Sequence, residues 1–259
     1  MFDVIDQLSL HIPLYLLVFG RISAMVLTMP VFGYSTVNTK VRLILSVSLT
    51  AIIAPLLIGK FTATYTTWLP FAVDMMREVF VGLLIGYGAR LVFEGITIAG
   101  AFIGMQMGMA IMNVFDPSSQ QQQPIISNFW LLVMVIFFLV TNSHYFLIAT
   151  IFENFNMIKL GTAEFHPVIG REFIRGGSIM YDLALKFAAP TMVFLLVVDV
   201  AIAFMARVMP QLNVFFVSLP LKIGIGIFLL IISLKIFQSL FSYVIIEMET
   251  FVTSIIKGI

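Results

Sequence analysis

At 259 residues the chain is long enough for one or two soluble domains, yet 61% of it is hydrophobic, only 10% is charged and its mean hydropathy is +1.09. Ordinary soluble domains carry about 25% charged residues, and no single globular core hides this much apolar surface, so lipid or other apolar protein must be the solvent for much of it. A net charge of +1 offers no footing for nucleic acid or an acidic substrate, and the absence of cysteine excludes disulfides, thiolate nucleophiles and cysteine metal sites.

Seven apolar stretches follow one another, at 12–32, 43–58, 69–93, 95–115, 125–151, 179–206 and 213–246. Each is close to the ~20 residues a spanning helix needs. No sustained alternation of period two supports membrane strands. The fold class is therefore an all-α integral membrane-type protein with about six to seven long helices packed as hairpins. Asp3 and Asp6 stand where a secretory signal would carry basic residues, so the first helix is read as retained. Lys40 and Arg42 place the 33–42 connection inside, and Lys159, Arg171 and Arg175 do the same for 152–178. Seven crossings satisfy both, with the N-terminus and the 116–124 segment outside and Lys257 inside.

Charges interrupt the apolar stretches: Arg21, Asp74, Arg77, Glu78, Arg90, Glu94, Lys186, Asp199, Arg207, Lys222 and Lys235. One charge at a bilayer centre costs about 2.5–3.5 kcal/mol on insertion scales. In the last third they recur so often that these helices suit hairpins packed within a larger assembly better than solitary spans. Asp74 with Arg77, Arg90 with Glu94 and Asp182 with Lys186 are spaced to pair on one helical face. Structural ion pairs and snorkelling ends are the simpler account; a proton or ion path is the other. Asp199 lies deep in its stretch without a local partner.

Small residues recur at four-residue spacing, as Gly82 and Gly86, then as Gly100, Gly104 and Gly108. Such faces allow close helix contact, internal or between subunits. Met105, Met107, Met109 and Met112 lie among the second set, and unbranched thioethers adapt to irregular surfaces. A polar island follows, Asp116-Pro117-Ser118-Ser119-Gln120-Gln121-Gln122-Gln123-Pro124. Its prolines end one helix near Phe115 and restart the chain near Ile125. By composition it is either a plain surface loop or the lining of something wet. Catalysis finds no motif. His11, His144 and His166 are scattered over separate elements, and no nucleophile elbow, phosphate loop or metal-ligand spacing is present.

Arg21-Ile22-Ser23-Ala24-Met25 leading to Met29-Pro30-Val31-Phe32-Gly33, and Gln106-Met107-Gly108 leading to Phe115-Asp116-Pro117, resemble the flagellar FliR family of type III export-gate R/T subunits. So does Met209-Pro210-Gln211-Leu212-Asn213-Val214-Phe215 with Leu219-Pro220-Leu221-Lys222, the most specific block. The likeness runs from about residue 15 to 250. It implies a non-enzymatic subunit, without cofactor or metal, of a hetero-oligomeric helical export gate. Its partners would be P-like and Q-like subunits (FliP, FliQ), a B-like subunit (FlhB), the export-apparatus ring and unfolded exported proteins, in the bacterial inner membrane within the flagellar basal body. The resemblance also implies a P-like region over 1–175 and a Q-like hairpin over 176–259. The plug would be the loop at about 104–124, bearing Gly104, Met105, Met107, Gly108, Met109, Met112, Phe115, Asp116 and Gln120, Gln121, Gln122 and Gln123. Arg21, Gly82, Gly86, Gly100 and Lys222 would serve subunit packing. The glutamine run departs from the family pattern. A virulence-injectisome T-component with the same role is an alternative. A small-solute transporter coupling through Asp199 is another, though no inverted repeat accompanies it.

Overall fold

The computed structural model describes residues 2–61, 65, 67–109, 125–165, 167–211 and 213–259. Its elements are α1 (Phe2–Thr28), α2 (Thr39–Leu57) with a 3-10 turn at Ile58–Lys60, α3 (Trp68–Gln106), α4 (Ile125–Val140), α5 (His144–Met157), α6 (Val168–Val208) and α7 (Val214–Gly258). Among the described residues there is no strand.

The all-α class stands, but the elements divide differently from the apolar stretches. Stretches 69–93 and 95–115 join in α3, one helix of 39 residues, because Arg90, Glu94 and Gly95 do not stop a helix whose neighbours all favour it. Stretch 125–151 instead breaks in two. Asn142 takes a left-handed φ of 59°, which asparagine tolerates better than most residues, and α4 and α5 meet there at a 71° bend. Asn38 caps α2 by accepting from the Lys40 N–H at 2.9 Å, so that helix begins before its apolar run.

The seven-crossing reading is corrected accordingly. Among the described residues five helices are long and apolar enough to cross a bilayer, or six if the bent α4–α5 pair counts as one span. The Lys60 Nζ donates to Asn156 Oδ1 at 3.0 Å, so the ends of α2 and α5 meet. Residues 58–61 and 156–160 are therefore neighbours, whereas the charge count places them on opposite sides. The count exceeds the candidate spans because it scores one continuous helix, α3, as two.

The chain forms two compact units. The first comprises 1–91, 142–176 and 248–259. In it α1 buries Leu14, Leu17, Val18, Ile22 and Met25, a stripe at helical spacing, and Met29 is buried just past its end. That stripe meets the first part of α3 at Gly82 and Gly86. A Cβ on Gly82 would lie 2.8 Å from the Ala24 Cβ, and one on Gly86 would lie 2.8 Å from the Met25 carbonyl. The small-residue spacing thus serves contact within the chain. Arg21 sits in the same stripe, wholly buried. Its guanidinium pairs with buried Glu78, donates to Asn154 Oδ1 and to the Ile158 carbonyl at 3.0 Å each, and lies 4.6 Å from the Phe155 ring centroid. Glu78 also accepts from the Gly161 N–H at 2.8 Å. Nearby, Tyr65 donates its hydroxyl to Asp74 at 2.9 Å; burial, with this bond, pushes the phenol pKa upward.

The second unit comprises 92–141 and 177–247. Its core is aromatic: Phe93 meets Phe138 edge-on, and Trp130 packs between Phe187 and Phe237 at centroid distances of 4.5 and 5.4 Å. Gly95 rests against the Met180 carbonyl, and Gly100 against the backbone of Ile126 and Ser127. The outward faces of α6 and α7 are apolar and exposed, with Phe194, Val197, Phe204, Phe228 and Ile232 among them. Such a face is made for lipid or other protein.

Removing Arg21 leaves Glu78 buried and unpaired. We expect Arg21→Met to destabilise the first unit by about 3–5 kcal/mol, read from thermal unfolding in detergent. Arg21→Met with Glu78→Gln, whose carbonyl still accepts from Gly161, should recover much of the loss. A double variant as unstable as the single one would show that the cost lies in packing, not charge.

Candidate functional site

The sequence singled out residues 100–124, and the structure describes their first ten. α3 ends at Gln106, followed by a turn in which Met107 N–H donates to the Ile103 carbonyl at 2.9 Å and Gly108 N–H to the Met105 carbonyl at 3.0 Å. Gly108 adopts φ +79°, the left-handed conformation that stops helices and favours glycine. A Cβ there would also approach Leu219 of α7 to 3.0 Å.

The turn is fastened to α7 in two ways. Met107 is completely buried, and its side chain fills the space beside Gly226, where a Cβ would meet its atoms at 2.5–2.7 Å. One residue earlier, Gln106 Nε2 donates to Asp199 Oδ2 of α6 at 3.1 Å. Asp199 also pairs through Oδ1 with the ammonium of Lys222 on α7. Leu219, Lys222 and Gly226 are spaced i, i+3 and i+7, so they share one face of α7. Side-chain exposure is 38% for Asp199 and 18% for Lys222, so water reaches this pair.

The predicted site residues separate. Gly104 and Met107 are buried, Met109 is half-buried and Met105 is 54% exposed. Met112, Phe115, Asp116 and Gln120, Gln121, Gln122 and Gln123 lie outside the described residues. Gly100 presses against the start of α4, so the last turns of α3 and the first turn of α4 are in contact. Lys222 belongs to the fastening of the turn. Arg21, Gly82 and Gly86 belong to the first unit. Two charge pairs read from spacing are present on helix surfaces, Asp74 with Arg77 at 3.2 Å and Asp182 with Lys186 at 2.6 Å.

Gln106 and Gly226 were not singled out as site residues, and Asp199 had no visible partner. One signal was available. Residues 199 and 222 are equally far from the Pro210–Gln211 turn, and an antiparallel helix pair folding there sets them opposite each other. Among the described residues no group of three or more His, Asp or Glu side chains could hold a metal. The arrangement holds a turn in place.

Comparison with known proteins gives the context. Residues 12–248 match the family described as bacterial export proteins, family 1, and the chain belongs to that family. It is 33% identical over 231 residues to a flagellar biosynthetic protein FliR of Bacillus subtilis (strain 168), covering 86% of this chain and 87% of that one. Proteins of the same name from Pectobacterium carotovorum subsp. carotovorum and Escherichia coli (strain K12) are 27% and 24% identical, each over 81% of this chain and 79% and 80% of their own. The chain is thus a flagellar export-family protein with several helices able to cross a membrane.

Lacking native cysteine, the chain accepts single reporter thiols. Met107→Cys should react with a maleimide at least ~10-fold more slowly than Met105→Cys, following burial. Adding Gly226→Val, which intrudes on the space Met107 fills, should raise the rate at position 107 toward that at 105. Equal rates at both positions in the unaltered background would contradict the buried seat of Met107.

Proposed function

We propose that the chain is a structural subunit of the flagellar protein-export channel, in the bacterial inner membrane within the basal body, and that residues 104–124 form its plug. The observation that carries this reading is the fastening of the 106–109 turn to α6 and α7 just before a segment whose only charge is Asp116. A stopper that must yield to a passing chain needs one fixed end and one compliant stretch. Gln106, Met107 and Gly108 supply the fixed end. Met105, Met109 and Met112 supply deformable apolar surface against ion leakage. Phe115, Asp116 and Gln120 to Gln123 supply a stretch that water wets without strongly attracting ions.

In this role residues 1–175 act as the P-like part and 176–259 as the Q-like hairpin. The exposed apolar faces of α6 and α7 receive P-like and Q-like subunits, with a B-like subunit and the export ring beside them. Arg21, Gly82, Gly86, Gly100 and Lys222 serve subunit packing from within, by setting helix spacing beneath the contact faces. The cargo is unfolded flagellar protein, moved by energy supplied elsewhere. The chain performs no chemistry and needs no cofactor.

Deletion of Gly108–Ser119 in the assembled apparatus should let small ions leak across the inner membrane, and Asp199→Ala should leak by the same route to a smaller extent. Loss of about 1.4 kcal/mol from the closed form shifts its ratio to the open form about tenfold. An assembled complex that stays ion-tight after the deletion would remove the plug role. One that leaks after the deletion but not with Asp199→Ala would keep the plug and remove the fastening.

A further inference from the structure

In the first unit the end of α2 and the turn after α5 border a cavity of about 440 Å³ that is open to solvent. Lys60, Lys159 and Asn156 supply its polar groups, and Leu57, Phe61 and Leu160 form apolar wall. Among the described residues no acid lines the cavity. Among the described residues neither lysine has a carboxylate within ion-pair distance. The Lys60 ammonium is held by Asn156 Oδ1 at 3.0 Å, which leaves it two further donor directions. Two ammonium groups in one concavity repel each other unless an anion joins them.

The position in the helix says which anion. α2 and its terminal turn form a candidate span of 22 residues, Thr39–Lys60, the length that reaches across hydrocarbon. Where this span crosses a bilayer, its last residue, Lys60, stands at the level of the lipid headgroups. The turns of α2 just before it expose Ile52 and Leu56, an apolar flank leading up to the cavity. A free phosphate ion would use the lysines alone. A phospholipid would use both parts, with its phosphate between the ammonium groups, its glycerol against Phe61 and Leu160, and its acyl chains along Ile52 and Leu56.

We infer that this cavity is a binding site for the headgroup of an acidic glycerophospholipid, with Lys60 and Lys159 as its phosphate ligands. The inference needs only the membrane setting and stands apart from the plug. The site would tie the α2–α5 junction to the lipid surface.

The test uses the full-length chain purified in mild detergent, with dioleoylphosphatidylglycerol, dioleoylphosphatidylcholine or inorganic phosphate added. Native mass spectrometry should show the phosphatidylglycerol retained and the phosphatidylcholine lost. Retention by the double variant Lys60→Gln, Lys159→Gln should fall about thirtyfold, as expected for two lysines at a membrane surface. Lys60→Arg with Lys159→Arg should retain it, and the lipid-free melting temperature of the glutamine variant should match the parent. The proposal is overturned if phosphatidylcholine is retained as well as phosphatidylglycerol, or if the glutamine variant holds phosphatidylglycerol normally. It is also overturned if inorganic phosphate stabilises the protein as much as the lipid does. Protection of Lys60→Cys from maleimide in the assembled apparatus after delipidation would show that another subunit fills the cavity, and would overturn it too.

Discussion

Much of this molecule follows from a mismatch of lengths. α3, α6 and α7 contain 39, 41 and 45 residues. At 1.5 Å per residue they extend about 58–68 Å, roughly twice the hydrocarbon thickness of a bilayer. A helix of that length cannot lie wholly in lipid along its axis, so parts of it must be covered by protein or water. Charges that would be ruinous in a solitary span then become tolerable, because only part of each helix faces acyl chains. The frequent charges of the last third are the sequence trace of this geometry, and the exposed apolar faces of α6 and α7 are its structural trace.

Where charge does go inside, it is handled in two ways. Arg21 and Glu78 are sealed completely, and Asn154, the Ile158 carbonyl, the Phe155 ring and the Gly161 N–H enclose them. Such a cluster fixes three helices and a turn in one arrangement, since removing any partner strands a buried charge. The Asp199–Lys222 pair is partly exposed, and water can replace either partner at modest cost. The first cluster is suited to permanence and the second to a contact that must at times be released.

The class of fold was legible because composition dominates it. The i,i+3 and i,i+4 pairs at Asp74 with Arg77 and Asp182 with Lys186 were legible because helical periodicity is local. The close approach at Gly82 and Gly86 was legible for the same reason, although spacing cannot say whether the partner is internal. Continuity of α3 was not, since an apolar dip at Arg90–Glu94 looks the same in a bent connection and in a long helix. The α4–α5 bend rests on a single left-handed asparagine in Thr141-Asn142-Ser143, a signal weaker than the apolar run around it. The count of crossings came out too high because α3 was read as two helices. Of the candidate site, the methionine and glycine run was legible as a unit. That Met107 would turn inward while Met105 turned outward was not, because the helix stops between them and Gly226 lies far along the chain.

That division among the methionines has a chemical side. Thioethers are readily oxidised, and a sulfoxide is bulkier and polar, so it would not fit the close space beside Gly226. The side chain on which the fastening depends is fully enclosed, while Met105, two residues earlier at the end of α3, stands 54% open. An oxidant arriving from solution meets the Met105 sulfur first. Damage at Met105 would add polarity at the surface and leave the seat of Met107 intact, so the turn tolerates oxidative stress that a reversed placement would not survive.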